Sequence, residues 1–117
     1  MTAEWPRPVV YFEIEALNAD TLEPFYRQMF NWNIGEGYIR QIPAGIGGPE
    51  NGIGGHMRQG KRSAVMLYIQ VKNVIESLQQ AVALGGQQVS EPFQIPGGAL
   101  IAGIEDPEGN PITLVQQ

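Results

Sequence analysis

Val10-Tyr11-Phe12-Glu13-Ile14 returns further along as Leu67-Tyr68-Ile69-Gln70-Val71, its tyrosine displaced by 57 positions in a chain of 117 residues. In both stretches apolar residues alternate with a tyrosine and then a carboxylate or an amide, the period-2 pattern of a strand with one buried face. Each leads into a helical pattern and then into further strand. The offset is close to half the chain length, the mark of a duplicated module. A duplicated β-α-β unit is expected to build a cavity between its copies.

Working outward, Val10, Phe12 and Ile14 share one face of the first strand, and Tyr11, Glu13 and Glu15 the other. Asp20 is the expected N-cap of the helix that follows, with Pro24 tolerated in its first turn. Leu22, Phe25, Tyr26, Met29 and Phe30 recur at helical spacing as one apolar stripe. After Trp32, residues 33–43 read as strand with a turn at Gly35-Glu36-Gly37. Residues 44–55 are glycine-rich and read as a long hairpin connection entering a short strand at Gly55-His56-Met57.

The second copy opens on residues 64–71, with Leu67, Ile69 and Val71 on one face and Met66, Tyr68 and Gln70 on the other. Asn73 caps a helix whose stripe is Val74, Ile75, Leu78, Ala81 and Val82, and Gly85-Gly86 ends it. Strands are expected at 87–89, 99–105 and 111–116, the last two joined by a turn at Asp106-Pro107-Glu108-Gly109. Each half therefore reads β-α-β-β-β, as one domain of two modules at about 8–60 and 64–117. The fold class is α+β, with helices on one side of the strands.

The composition is that of a folded globule, with 43% hydrophobic and 16% charged residues. A formal charge of −5 excludes the basic stripe that nucleic acid requires, and on charge alone an acidic pocket would favour cationic or neutral ligands. No cysteine is present, so disulfides, thiolate metal sites and cysteine nucleophiles are excluded. No apolar run approaches the ~20 residues of a membrane span. Glu4-Trp5-Pro6-Arg7-Pro8 interrupts any leader pattern, so a cytoplasmic protein is expected.

Five segments then carry a resemblance: Tyr11-Phe12-Glu13-Ile14, Pro24-Phe25-Tyr26 with Phe30-Asn31-Trp32, Gly52-Ile53-Gly54-Gly55, Ala83-Leu84-Gly85-Gly86, and Asp106-Pro107-Glu108-Gly109-Asn110. In this order and spacing the chain resembles the vicinal oxygen chelate superfamily of glyoxalase, bleomycin-resistance and extradiol dioxygenase proteins. The resemblance implies paired βαβββ modules curling into a cup-shaped mixed sheet with the helices outside, and a homodimer. It also implies metal ligands at matching points of the first and last strands of each module. Those points carry Tyr11, Tyr68 and Thr113 here, with the remaining one near His56. Neutral hydroxyls are poor ligands beside imidazole or carboxylate, and a lone histidine does not hold a divalent ion. The expectation is therefore no metal and no cofactor.

The candidate ligand-binding residues are Tyr11, Glu13, His56, Tyr68, Gln70 and Thr113. His56 is the single histidine, a residue type suited to act as acid or base near neutrality. The glycines before it would let its strand approach a ligand closely. Tyr11 and Tyr68 read either as amphipathic sheet residues or as cavity lining, and Glu13 either as a solvated carboxylate or as a base. Gln70 offers both donor and acceptor. The segment Gly45 to Gly55 lacks the lysine and hydroxyl residue of a phosphate loop, and no serine sits in a nucleophile elbow.

Two functions follow. One is metal-free binding of a small organic molecule in the cup. The other is an isomerase or lyase acting next to a carbonyl, with or without a divalent metal; in the metal-free version Glu13 or His56 is the base and the tyrosines steady an enolate. A third reading makes the cup a relic, with the protein acting through its dimer surface.

Overall fold

A computed structural model describes residues 5–43 and 52–116. Most of the glycine-rich connection expected at 44–55 thus lies outside the described residues. The described elements are β1 (Val9–Ala16), α1 (Ala19–Phe30), β2 (Ile39–Ile42), β3 (Gly55–Gln59), β4 (Ala64–Gln70), α2 (Val74–Ala83), β5 (Gln87–Gln88), β6 (Phe93–Gln94), β7 (Leu100–Glu105) and β8 (Pro111–Gln116). Two helices and mixed strand pairing make the fold α+β. Among the described residues no helix is long and apolar enough to cross a membrane.

The chain divides into two compact units, one from Tyr11 to Met66 and one joining the described residues up to Val10 with those from Leu67 onward. In the first unit β3 lies between β2 and β1. It runs antiparallel to β2, with Gln41 opposite His56, and parallel to β1, with Glu13 opposite His56. Parallel neighbours need a crossover, and α1 supplies it. Ile14, Ala16, Ala19, Ile34, Ile42 and Met57 form the core, with Phe12, Leu22, Tyr26 and Trp32 against it.

The cap of helix α1 lies two residues before the expected one. Asn18 is extended (φ −143°) and its side chain accepts from Thr21 N–H (3.2 Å), whereas Asp20 is already helical and ion-pairs with Arg40 (2.7 Å). A cap must sit outside the helix to reach back to the third amide, which Asn18 does and Asp20 cannot. Pro24 consequently falls beyond the first turn, where its missing N–H costs a helical hydrogen bond. The Gln59 side chain accepts from Ala19 N–H (2.8 Å), tying the helix start to β3. Only part of the apolar stripe is covered: Leu22 and Tyr26 pack against the core, while Phe25, Met29 and Phe30 are exposed. Residues 33–43 yield one strand rather than two. Gly37 makes the turn (φ 99°), and before it Gly35 N–H bonds Gln41 C=O (2.9 Å) without extending a ladder.

In the second unit β8 lies between β4, to which it is parallel, and antiparallel β7, which also pairs with β5 and β6. Val71, Val74, Leu78, Ala102 and Leu114 form its core. Asn73 caps α2 as expected, accepting from Glu76 N–H (2.9 Å). At the other end Gly86 N–H bonds Ala81 C=O (2.8 Å) and Gly85 N–H bonds Val82 C=O (3.1 Å), with Gly85 left-handed (φ 97°), a Schellman closure. Ile75 and Val82, expected in the buried stripe, are about half exposed. The turn before β8 is built on Asp106, whose Oδ1 accepts from Glu108 and Asn110 N–H (both 2.9 Å). β6 is an addition to the expected strands, two residues long.

Candidate functional site

Strand alternation decides which side chains meet. In the first unit Ile14 and Ala16 face the core with Met57, so Tyr11, Glu13 and Glu15 of β1 emerge opposite, beside His56 and Arg58 of β3 and Gln41 of β2. On that face Tyr11 Oη lies 2.8 Å from His56 Nδ1, and His56 Nε2 lies 2.8 Å from Glu13 Oε1. Arg58 Nε donates to the same carboxylate oxygen (2.9 Å). Three residues singled out in the sequence thus form one hydrogen-bonded chain, and two that were not, Arg58 and Gln41, complete it. Gln41 Oε1 is a second acceptor for the Tyr11 hydroxyl, at 3.3 Å.

Glu13 and His56 are 5% and 7% exposed, while Tyr11 is only half-buried. Burial alone would raise the Glu13 carboxyl. The hydrogen bonds from His56 and Arg58, with the charge of the guanidinium, outweigh it and hold Glu13 below the ordinary carboxylate range. An ionised carboxylate only accepts, so the imidazole carries a hydrogen on Nε2, and in the neutral ring the Nδ1 lone pair faces Tyr11. The Tyr11 phenol is pushed up, first by burial and also by the negative charge of Glu13, against a smaller opposing effect of the Gln41 hydrogen bond. Glu13 Oε2 is buried without a hydrogen-bond partner. Arg58 is held charged chiefly by Glu13.

Glu15 continues the face. It accepts from the backbone N–H of Lys61 (2.9 Å) and from Arg62 Nε (3.1 Å), and these contacts, with Arg58 nearby, outweigh its burial and lower its pKa. The charged residues on this face, Glu13, Glu15, Arg58 and Arg62, balance in sign. Two glycines seat it. A Cβ on Gly60 would overlap the Glu15 carboxylate, and one on Gly55 would meet Phe12 C=O at 2.5 Å. Gly55 therefore serves the close parallel approach of β3 to β1, where the sequence suggested room for a ligand.

The other three candidates belong to the second unit. Tyr68 of β4 stands directly opposite Thr113 of β8, which is 6% exposed, and Gln70 lies two residues along on the Tyr68 face, opposite Val115. Both hydroxyl residues have interaction partners.

This arrangement does not fit a divalent metal. Among the described residues no three His, Asp or Glu side chains converge. Both nitrogens of His56 are engaged, by Tyr11 and Glu13, and the Glu13 charge is met by a guanidinium that would repel a cation.

The Glyoxalase-like domain family matches this chain over residues 11–115. No curated protein matches it by sequence. Among solved structures, the chain is similar to a glyoxalase/bleomycin resistance protein/dioxygenase superfamily member from Vibrio splendidus 12B01, with a TM-score of 0.64 at 14% identity, covering 96% of this chain and 100% of that one. It is also similar to a Mn(II)-bound glyoxalase from Novosphingobium aromaticivorans, with a TM-score of 0.58 at 19% identity, over 94% of this chain and 38% of that one. Methylmalonyl-CoA epimerase from Mycobacterium tuberculosis gives a TM-score of 0.56 at 16% identity, over 92% and 86%. At these identities the structures speak for the fold alone, and it is the match across nearly the whole sequence that makes this chain a member of the Glyoxalase-like domain family, within the vicinal oxygen chelate superfamily.

Proposed function

We propose that this protein binds a small organic molecule without a divalent metal, with Tyr11 as a principal contact and the buried Glu13 and His56 behind it. The observation that carries the reading is the commitment of the donors: the imidazole is bonded at both nitrogens and its carboxylate partner is neutralised by Arg58. Tyr68, Gln70 and Thr113 present the equivalent polar surface of the second unit. Balanced charges on the first unit's face favour a neutral ligand over the cationic one that net charge alone suggests. A homodimer, a cytoplasmic location and indifference to nucleic acid belong to the same proposal.

Purification without added metal, followed by native mass spectrometry and thermal melting, tests it. The expected result is a dimer of 12.8 kDa subunits with metal well below one per subunit. Mn²⁺, Ni²⁺ or Zn²⁺ should leave the melting midpoint unchanged, whereas neutral small molecules that bind should raise it, the stability gain being about 2.7 kcal/mol at a hundred times Kd. One metal per subunit with a chelator-sensitive midpoint would overturn the reading.

A second reading is favoured by a specific feature. The series Glu13, His56, Tyr11 has the orienter–base–hydroxyl order of a proton-transfer chain, which supports an isomerase or lyase acting next to a carbonyl. The fold hosts both a Mn(II)-bound glyoxalase and an epimerase, so fold does not choose between the readings.

A further inference from the structure

We propose that the Tyr11 hydroxyl is the outward end of a proton relay running Glu13–His56–Tyr11, and that it takes an acidic hydrogen from a small neutral molecule such as an enol, a phenol or a carbon acid beside a carbonyl. This rests on the reading that the Tyr11 face receives a ligand, and it moves the acting group from His56 or Glu13 to the tyrosine.

Burial gives the relay its direction. Glu13 and His56 are 5% and 7% exposed, and Tyr11 is the half-buried member of the three, so a ligand meets the series at Tyr11. Position gives it its chemistry. Glu13 Oε1 receives both Arg58 Nε (2.9 Å) and His56 Nε2 (2.8 Å), which fixes the ring and its tautomer. In the neutral ring Nδ1 then faces Tyr11 Oη at 2.8 Å as an acceptor. In the transfer step the ligand's bond to hydrogen breaks and that proton passes to Tyr11 Oη. The phenol's own proton passes to His56 Nδ1, and the electron pair stays on the ligand. The resulting imidazolium lies against the Glu13 carboxylate. Its Nδ1–H now donates to Tyr11 Oη, and the tyrosine hydrogen has a second acceptor in Gln41 Oε1 at 3.3 Å. Running the step backwards, at the same or a neighbouring ligand atom, restores every proton, so no oxidant or reductant is needed.

Two further features agree. A phenol pushed up by burial stays protonated at rest and needs a partner that accepts its proton within the step, which His56 is. The ionic groups of the face balance, so a neutral ligand brings no uncompensated charge. Glu13 and Arg58 act through His56 and are positioning residues.

The test is acetylation of the intact protein by N-acetylimidazole, followed residue by residue with peptide mass spectrometry. Tyr38, 67% exposed, is the internal reference. Tyr11 should acetylate at least about tenfold faster than Tyr38 despite its lower exposure, a modest part of the ~10²-fold that a positioned base can supply. The Tyr11 rate alone should show a normal solvent deuterium isotope effect. His56→Gln should remove the Tyr11 advantage while leaving the Tyr38 rate and the circular dichroism spectrum unchanged. If that variant does not fold, the isotope effect and the Tyr11/Tyr38 ratio of the native chain still decide. A native ratio at or below one, or a ratio indifferent to His56→Gln, would overturn the relay while leaving ligand binding intact. A fast Tyr11 in a protein found to hold one metal per subunit would support the relay and overturn the metal-free reading instead.

Discussion

At the residue scale, the carboxylate of Glu13 decides the most. It is buried, ionised and shared by two donors on one oxygen, so removing its charge leaves Arg58 and His56 without their partner. Glu13→Gln is expected to lower stability by about 2 kcal/mol at neutral pH, less than the loss of a fully buried pair because Arg58 is partly exposed and glutamine still accepts. The folded-state pKa lies below the ordinary value of about 4.3. The ionised group therefore contributes fully above that ordinary value, and its contribution disappears as pH falls through the lowered one. Urea denaturation of both proteins from pH 7 downward should show the gap narrowing below about pH 4. Tyr11, Glu13 and Glu15 were legible in the sequence as one face of a strand. Arg58 and Gln41 were not, because only the register of β3 against β1 and β2 brings them there.

At the element scale, helix starts and stops were legible where local chemistry sets them and misread where two candidates competed. Asn73 and Gly85-Gly86 have no rivals nearby, whereas Asn18 and Asp20 both suit a cap and only the extended conformation of Asn18 selects it. Asn18→Ala and Asn73→Ala should each cost about 1 kcal/mol in urea denaturation, while Asp20→Ala, which loses an exposed ion pair, should cost about half as much or less. The apolar stripes of α1 and α2 are only partly covered, because periodicity marks a face and not how much of it packs against the strands. Phe25, Met29, Ile75 and Val82 are where that shortfall shows.

At the scale of the whole molecule, the chain is two compact units, each with its own core and its own helix on one face of its strands. Within the second unit β8 has a strand on both sides and buries Thr113, Leu114 and Val115, whereas β5 and β6 are two-residue strands. Native-state hydrogen exchange should therefore be slowest at Thr113–Val115 and orders of magnitude faster at β5 and β6. Equal protection across these strands would contradict the assigned pairing. By itself the sequence determined the α+β class, the identity of the polar faces and the lack of any thiolate, because each follows from residue type and short-range period. Only the tertiary structure decided that Glu13, His56 and Tyr11 form a connected chain, with Arg58 and Gln41 completing it. Residues 30 to 45 positions apart in sequence meet through strand register, and register is set by packing and hydrogen-bond pairing that no local pattern records.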